Sequence, residues 1–339
     1  MEHNMVQDLE LGKRLMSENY PDLEVLQMEV FQGGGIKTVW RVETAQGIYG
    51  LKRIRKPLPV VESTTAAQVY LAGKGVLVPD IIPTKDGNRY FVHEGYAVVL
   101  YSWIDGTDLE MEENKQDLLT GIRGLAQFQK DSVGFVAPEG VNFYNRMGAW
   151  PKHYEGMLEE FKQWKEESKN KDTAFYRVYL KIADNIIYMS EKALELLNKS
   201  CYSKWVEEIG EHGYLTHQDY GKGNALLTEN GVYVLDLDNL AYDIPIRDLR
   251  KLIFKRMKET ENWNLAEIEE YISCFTSILP LTEEQIKLIY IDLLFPDKFY
   301  GYVKKPFRMG EVGDVNKLLK TYKLEANKMP VLKQVLQLD

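Results

Sequence analysis

One short polar segment of the chain has the residue types and the spacing that phosphoryl transfer requires. It reads HQDYGKGN over residues 217–224, and the apolar strand that follows ends at Asp236. In this order, Asp219 would accept or orient the proton of an attacking hydroxyl, and Asn224 and Asp236 would bind Mg2+ through oxygen atoms. The competing interpretation is a polar hairpin in which these residues only favour turns.

A glycine run and a lysine nearer the N-terminus predict a phosphate-binding site. Gly33, Gly34 and Gly35 lie between two predicted strands, where glycine lets backbone N–H groups approach phosphate oxygens without a side-chain clash. Lys52 lies on the third predicted strand, the position at which kinases pair a lysine with the α- and β-phosphates. The alternatives are a plain hairpin turn and a solvent-facing lysine.

The sequence leaves open which residue would orient Lys52. Kinases use a glutamate on the helix after the third strand, and its expected place here falls near Thr64. Glu62 lies two residues before Thr64, and Gln68 lies one turn after it. Glu62 would serve if the helix begins early, and we expect weak activity if neither side chain reaches Lys52.

Several further side chains have an expected place around the site. The strand over residues 98–103 would connect two lobes and offer backbone groups to adenine, with Tyr101 or Trp103 covering the base or belonging to the core. His217 is expected to brace its loop by hydrogen bonds, because kinase chemistry depends on positioning. Asp238 would be a third acidic ligand or would bind backbone, and we favour the second role.

The elements that must position these residues fall into two regions, a β-rich one and a helical one. Periodicity predicts a helix over 7–20, strands over 25–31, 37–44 and 48–54, a helix over 63–74 and a hairpin within 89–103. Helical periodicity then dominates over 116–130, 152–168, 174–200, 203–210, 246–258, 264–276, 282–294 and 314–326, with β-type segments returning only within 226–235. Thr282 to Gln285 is predicted to form a capping box.

We therefore expect an α+β protein with a nucleotide-binding lobe over residues 1–103. A helical lobe over residues 104–339 would contain the catalytic loop and the acceptor site. The chain has 339 residues, which is long for one compact domain and natural for two lobes that share a cleft.

Composition restricts the classes of partner. The net charge of −9 argues against nucleic acid, since there is no broad basic field to collect phosphates. Cys201 and Cys274 lack metal-ligand spacing, and no apolar run is long enough to span a membrane. The N-terminal residues do not have the pattern of a signal peptide. We expect synthesis in the cytoplasm and no membrane partner.

Taken together, these motifs resemble the aminoglycoside phosphotransferase and choline kinase group of the protein-kinase-like fold. The residues that carry this resemblance are Gly33 to Gly35, Lys52, Asp219, Asn224, Asp236 and the pair Asp248-Leu249. The texture of residues 41–54, of Leu77 to Pro79 and of Asp236 to Asp238 resembles one branch, the CotS-type spore coat proteins. One departure is Gln218, where the phosphotransferases usually have glycine.

The resemblance implies a bilobal fold, ATP and Mg2+ as cofactors, synthesis in the mother cell and a place in the spore coat. The first hypothesis is a phosphotransferase that acts on a hydroxyl of a small molecule, and the alternative is a weakly active or non-catalytic structural protein of the coat. Other coat proteins are expected partners in either case. A protein kinase is disfavoured because only eleven residues separate Asp236 from Asp248, too few for an activation loop. Asp248 would cap its helix or brace the catalytic loop.

Overall fold

The computed structural model describes residues 2–33, 38–141 and 143–338, with side chains described from residue 7 onward. Gly34 and Gly35, which the sequence assigns to the phosphate-binding turn, lie outside the described residues. The chain divides into two compact units. Unit 1 contains Met1–Glu110, Gly124–Asn145 and Tyr214–Tyr242, and unit 2 contains Met111–Arg123, Arg146–Gly213 and Asp243–Asp339. The division into lobes after residue 103 stays a prediction.

Unit 1 is built on an antiparallel sheet, which together with the helices confirms the predicted α+β class. Its strands are β1 Val25–Gln32, β2 Val39–Thr44, β3 Gly47–Ile54, β4 Ile81–Ile82, β5 Phe91–His93 and β6 Tyr96–Ser102. Among the described residues, the strand order is β1-β2-β3-β6-β4, and β5 pairs with β6. Strand β3 is therefore central, with β2 on one side and β6 on the other.

Different helices cover the two faces of this sheet. They are α1 (Glu2–Asn19) and α2 (Leu58–Gly73). Side chains alternate between faces along a strand, and β6 follows this rule. Val98 and Leu100 pack with α1, whereas the residues immediately before each of them pack with α2. Because both faces of β6 are covered, its sequence YAVVLYS is nearly continuous in apolar residues. A charged side chain on the neighbouring strand β3 therefore needs a compensating partner.

The remaining strands lie before and after the polar segment of residues 217–224 in the sequence. They are β7 Thr107–Asp108, β8 Tyr214–Thr216, β9 Ala225–Thr228, β10 Gly231–Val234 and β11 Ala241–Asp243. Strand β9 lies between β10 and β7, and β11 pairs with β8. Residues 217–224 thus form the loop between β8 and β9, and a 3-10 helix at Leu237–Asn239 follows β10.

Unit 2 is helical. Its helices are α4 Trp150–Ser168, α5 Ala174–Lys199, α6 Tyr202–Ile209, α7 Ile246–Thr260, α8 Leu265–Thr276, α9 Glu283–Leu294, α10 Asp297–Arg308, α11 Val315–Ala326 and α12 Met329–Leu336, and α3 (Lys115–Asp131) contributes residues to both units. The capping box predicted from Thr282 to Gln285 is present at the start of α9, with both reciprocal hydrogen bonds formed.

Several elements were not predicted from the sequence, among them the two-residue strand β4. Strands β7, β8 and β11 are two or three residues long, so they carry no readable alternation, and the expectation that β-type segments return only within 226–235 was wrong. Helices α10 and α12 were missed because each contains a proline, Pro306 inside α10 and Pro330 in the first turn of α12. A proline in the first turn costs a helix little, because that N–H has no intrahelical acceptor.

Over the residues that the structure describes, none of the helices combines the length and the apolar character needed to cross a bilayer.

Candidate functional site

Lys52 is held on the central strand of the sheet by two carboxylates. Its Nζ donates to Oδ1 of Asp236 and to Oδ2 of Asp238, each over 2.7 Å. Side chains alternate along β3, so Lys52 lies on the same face as Ile54, the face that α2 covers. The Lys52 side chain is 11% exposed. A lysine so deeply placed in a sheet requires compensating charge, and the two aspartates supply it.

The group formed by Lys52, Asp236 and Asp238 has an excess of negative charge. Burial alone would lower the pKa of Lys52, but the carboxylates of Asp238 and Asp236 outweigh burial and raise the pKa above its ordinary value. Burial also raises the pKa of Asp238, which Lys52 opposes and the nearby Asp236 reinforces. One cation thus faces two carboxylates, an arrangement that favours the entry of additional positive charge such as a metal ion.

The backbone after β10 brings both aspartates to the same lysine. Asp236 adopts a left-handed conformation with φ 56° and ψ 58°, which aspartate tolerates better than most residues. The chain then enters the 3-10 helix at Leu237–Asn239, whose Asn239 side chain accepts from Nζ of Lys56 over 2.6 Å. We expected Asp238 to bind backbone. Instead, its carboxylate forms an ion pair with Lys52.

The loop that carries Asp219 is fixed by His217, which is fully buried. The backbone N–H of Asp219 donates to Nδ1 of His217, and Nε2 of His217 lies 2.7 Å from the carbonyl oxygen of Leu235. Because Nδ1 accepts, the proton lies on Nε2, which donates to Leu235. His217 therefore bridges the loop to the strand that leads to Asp236, which is a bracing role.

Asn224 is joined to both aspartate-bearing segments. The side-chain Nδ2 of Asn224 donates to the backbone carbonyl oxygen of Asp219 over 2.9 Å. The backbone carbonyl oxygen of Asn224 accepts from the N–H of Leu235 over 3.0 Å. The side-chain nitrogen is thereby occupied, which leaves the amide oxygen Oδ1 to act as a ligand. Gln218 has a φ of 70°, a left-handed conformation that glycine adopts more freely than glutamine does.

A cavity of about 550 Å3 opens beside Lys52. Of the residues singled out from the sequence, Lys52, Tyr101, Trp103, Asn224 and Asp236 line it. Its volume lies in the range typical of small-molecule sites. The structure thus brings together a lysine, an amide and a carboxylate at one cavity.

Two predicted residues, Gly33 and Asp219, are not part of the cavity lining. Gly33 directly follows β1 and is the last described residue before position 38, and Phe31 and Gln32 at the end of β1 do line the cavity. Asp219 lies in the loop beside Asn224, whose side chain bonds its carbonyl oxygen.

Tyr101 and Trp103, the two aromatic residues expected near adenine, differ in their surroundings. The ring of Trp103 lies over Gly50, where an added Cβ would come within 3.4 Å of the ring, and packs edge-on against Phe31 at 4.9 Å between centroids. Tyr101 packs partly against the core cluster under α2, and burial raises its pKa well above the ordinary value, with Asp238 and Asp236 adding to the effect. Trp103 is thus a cavity wall, and Tyr101 is partly a core residue.

Neither of the helix residues considered as partners for Lys52 binds it in this structure. The carboxylate of Glu62 bonds the guanidinium of Arg89 instead. Gln68 lines the cavity but donates its Nε2 to the carbonyl oxygen of Pro79 over 2.7 Å. Asp248 is buried in the first turn of α7, whose N-cap residue is Pro245, so Asp248 is not the cap.

Sequence reasoning missed two acidic residues that hold the loop over residues 217–224. Oδ1 of Asp108 accepts from the N–H of Gly223 over 2.8 Å, and Oε2 of Glu110 accepts from Nζ of Lys222 over 2.6 Å. Both acids belong to the segment around β7, which is too short to be recognised from periodicity. The only available signal was the local run of acidic residues, which is ordinary on protein surfaces.

The side chains at the cavity fit a divalent cation and a nucleotide phosphate group. Asn224 offers an amide oxygen and Asp236 a carboxylate, the hard oxygen ligands that Mg2+ prefers when substrate phosphates and water complete its coordination. Within the described ranges, no group of three or more His, Cys, Asp or Glu side chains forms a dedicated metal cage. A site with two protein ligands matches the way Mg2+ is bound together with a nucleotide.

The chain has the protein-kinase-like fold, which solved small-molecule phosphotransferases and kinases share. A solved aminoglycoside phosphotransferase from Alicyclobacillus acidocaldarius subsp. acidocaldarius DSM 446 is similar to the chain with a TM-score of 0.73 and 15% identity, over 92% of each chain. An amicoumacin kinase solved with AMP-PNP and Ca2+ has a TM-score of 0.62 and 12% identity over 96% of each chain. At such identities the likeness establishes the fold.

The chain belongs to the family described as "Spore coat putative kinase YutH", which matches residues 32–335. It is 28% identical over 265 residues to spore coat protein S of Bacillus subtilis (strain 168), a segment that is 78% of this chain and 75% of that relative. Membership of the family confirms both the predicted resemblance and the predicted association with the spore coat.

Proposed function

We propose that the protein is an ATP- and Mg2+-dependent phosphotransferase that phosphorylates a hydroxyl of a small molecule at the spore coat. One observation carries the proposal. Nζ of Lys52 bonds Oδ1 of Asp236 over 2.7 Å although 184 positions separate the two residues in the chain, and both line one cavity with Asn224. Packing alone gives no reason to gather a lysine, a carboxylate and an amide at a cavity wall.

The phosphate end of the cavity has the groups that this chemistry requires. Lys52 would pair with the α- and β-phosphates, and Asn224 and Asp236 would hold the metal. Bound there, Mg2+ would supply positive charge that offsets the charge of the phosphates. Asp219 would receive or orient the proton of the acceptor hydroxyl, held in place by the bonds that His217 makes to its own loop.

The segment after β6 lines the same cavity and offers backbone groups suited to adenine. The N–H of Ser102 donates to Asp80, and its hydroxyl accepts from the N–H of Asp80. Ser102 lies opposite Tyr49 of β3, and the N–H of the next residue, Trp103, donates to the carbonyl oxygen of Ile48. This pattern makes Ser102 and Tyr49 a non-hydrogen-bonded pair. The Ser102 carbonyl therefore faces away from β3.

Ile104, two residues further on, forms no hydrogen bond through its N–H within the described residues. The Ser102 carbonyl would accept from the exocyclic amine of adenine, and the Ile104 N–H would donate to a ring nitrogen. An acceptor and a donor two residues apart on an extended chain match the edge of the base.

The connection after Asp236 supports a small acceptor rather than a protein. The eleven residues before Asp248 are taken up by the 3-10 helix, β11 and the start of α7. No length remains for an activation segment on which a peptide substrate would dock.

The alternative is a structural coat protein that keeps the fold without turnover. The family description and the name of the Bacillus subtilis relative both refer to the spore coat, which supports this role. The two functions differ in one measurable respect, because only the enzyme transfers phosphate.

The test is a calorimetric titration with ATP and Mg2+ on the wild type, Asp236→Asn and Asp219→Asn. We expect saturable, Mg2+-dependent binding by the wild type and binding about tenfold or more weaker for Asp236→Asn, because a metal ligand is lost. Asp219→Asn should bind ATP normally but abolish phosphate transfer to any acceptor found by screening hydroxyl compounds.

The matched control is Asp86→Asn, which removes one carboxylate from an exposed turn of the same unit. It should bind ATP as the wild type does. Absence of ATP binding by the wild type would overturn the proposal. Binding without turnover on any hydroxyl compound would favour the structural alternative.

A further inference from the structure

The helix after β3 provides no free carboxylate for Lys52. Glu62 is the only acidic residue in the sequence of α2, and its carboxylate is committed to the guanidinium of Arg89. Thr64, at the place where a glutamate was expected, bonds the carbonyl oxygen of Val60 within its own helix. The usual way of orienting this lysine is therefore not built into α2.

A carboxylate reaches Lys52 from another direction. Oδ2 of Asp238 accepts from Nζ of Lys52 over 2.7 Å, and the Asp238 side chain is only 11% exposed. The 3-10 helix that carries Asp238 has a second tie nearby, because Nζ of Lys56 bonds Asn239 over 2.6 Å. Lys52 and Lys56 thus bind two adjacent residues of one 3-10 helix, Asp238 and Asn239.

We propose that Asp238 is the positioning residue of Lys52 and replaces the glutamate that α2 lacks. The inference rests on the proposed function, since the purpose of orienting Lys52 is to direct it at nucleotide phosphates. When Asp236 serves as a metal ligand, Asp238 remains as the carboxylate that holds the lysine. Its position depends on the turn at residues 236–239, so the lysine is set without any movement of α2.

The test compares Asp238→Asn with Glu62→Gln, which removes the one carboxylate of α2. For Asp238→Asn we expect about tenfold weaker binding of ATP with Mg2+, since a charge-assisted hydrogen bond to the lysine is lost. Its affinity for adenosine should be unchanged, because adenosine has no phosphate for Lys52 to bind. A general loss of structure would weaken both ligands. Glu62→Gln should bind both ligands as the wild type does.

A double-mutant cycle with Lys52→Met separates an action through the lysine from an independent effect. If Asp238 acts through Lys52, Asp238→Asn should cause no further loss of ATP affinity in the Lys52→Met background. Full additivity would overturn the inference, as would an ATP loss in Glu62→Gln with none in Asp238→Asn.

A second readout needs no nucleotide, so it distinguishes failure of this inference from failure of the proposed function. Labelling of Lys52 by an amine-reactive reagent at one fixed pH should be several-fold faster in Asp238→Asn than in the wild type, and unchanged in Glu62→Gln. An unchanged rate in Asp238→Asn would overturn the inference even if the wild type binds ATP. No ATP binding by the wild type, with the labelling result as expected, would overturn the proposed function alone.

Discussion

Two buried lysines in this protein use similar chemistry in different surroundings. In unit 1, Lys52 binds Asp236 and Asp238 at the wall of a cavity. In unit 2, Lys328 binds Glu325 and the carbonyl oxygen of Phe295, and neither side chain of that ion pair is exposed at all. The first lysine lies at the wall of an open cavity, whereas the second is enclosed by packed protein.

The balance of charge separates the two sites more clearly than burial does. At Lys328, burial outweighs the attraction of Glu325 and lowers the pKa of the lysine. At Lys52, burial also acts downward, but two carboxylates outweigh it and raise the pKa. A perturbed pKa alone therefore does not identify a functional site. An excess of negative charge at an open cavity does indicate one, because it prepares a place for a cation.

The largest expected effect comes from breaking the enclosed pair. Lys328→Met should lower the free energy of unfolding by about 3–5 kcal/mol, because it leaves the carboxylate of Glu325 buried without its cation. The loss should be seen as a lower denaturation midpoint in urea at neutral pH. Glu325 also accepts from the N–H of Phe299, but that single bond cannot replace a full charge.

The control for this variant is Lys320→Met, which removes an exposed lysine from α11, the helix that carries Glu325. It should change the unfolding free energy by less than about 0.5 kcal/mol. Equal effects of the two substitutions would contradict the claim that the buried pair stabilises unit 2.

Asp243 is an intermediate case, a fully buried carboxylate with an imperfect cationic partner. Burial raises its pKa to about 7, opposed by Arg247, whose guanidinium lies 3.7 Å away. Its Oδ1 accepts from Nε1 of Trp150 over 3.1 Å. A pKa raised on folding means that the protonated form is favoured. The contribution of protonated Asp243 to the free energy of unfolding is complete below pH 3.8, the ordinary pKa of the group. This contribution declines as the pH rises toward 7.

Asp243→Asn should remove this decline. An amide keeps the acceptor for Trp150 and carries no charge, so the stability of the variant relative to the wild type should increase between about pH 4 and pH 7. Each pKa unit corresponds to about 1.4 kcal/mol, which sets an upper limit of about 4 kcal/mol, and loss of the Arg247 contact should reduce the gain to about 1–3 kcal/mol.

Urea titrations at pH 4.5 and pH 7.5 measure the effect. The comparison variant Asp184→Asn alters an exposed carboxylate of α5 and should show no such change. A difference between Asp243→Asn and the wild type that is the same at both pH values would show that Asp243 does not titrate in this range.

The sequence was sufficient for the long elements and for the residues with a fixed spacing. The strands β1, β2, β3 and β6 and most helices of unit 2 were predicted within a few residues, because each has a clear periodicity. Lys52, Asn224 and Asp236 could be chosen as one set because their order along the chain matches a known chemistry. Their meeting at one cavity required the structure.

The partner of Lys52 could not be predicted because it depends on a local turn. Asp236 and Asp238 would lie on one face of a strand, but the left-handed residue at 236 ends the strand and begins a 3-10 helix. Sequence patterns do not report such a change of direction. The hydrogen bond between Asp108 and the loop over residues 217–224 was missed for a similar reason, since a two-residue strand has no pattern to read.

The smallest expected effect is at an exposed carboxylate whose pKa is also strongly shifted. Lys199 and Lys192 lower the pKa of Glu195 to about 2. A lowered pKa should stabilise the fold above the ordinary value of 4.5 and lose that stabilisation as the pH falls toward 2. However, 44% of the Glu195 side chain is exposed, and solvent and salt screen such pairs on a helix surface.

Glu195→Gln should therefore leave the urea midpoint at pH 7 unchanged within error, at both low and high salt. A clear loss at low salt that disappears at high salt would mean that surface pairs contribute more to this protein than their exposure suggests. The contrast between buried and exposed charge would then be weaker than the structure indicates. With no such loss, the environment of an ion pair, and not the size of its pKa shift, determines what the pair contributes.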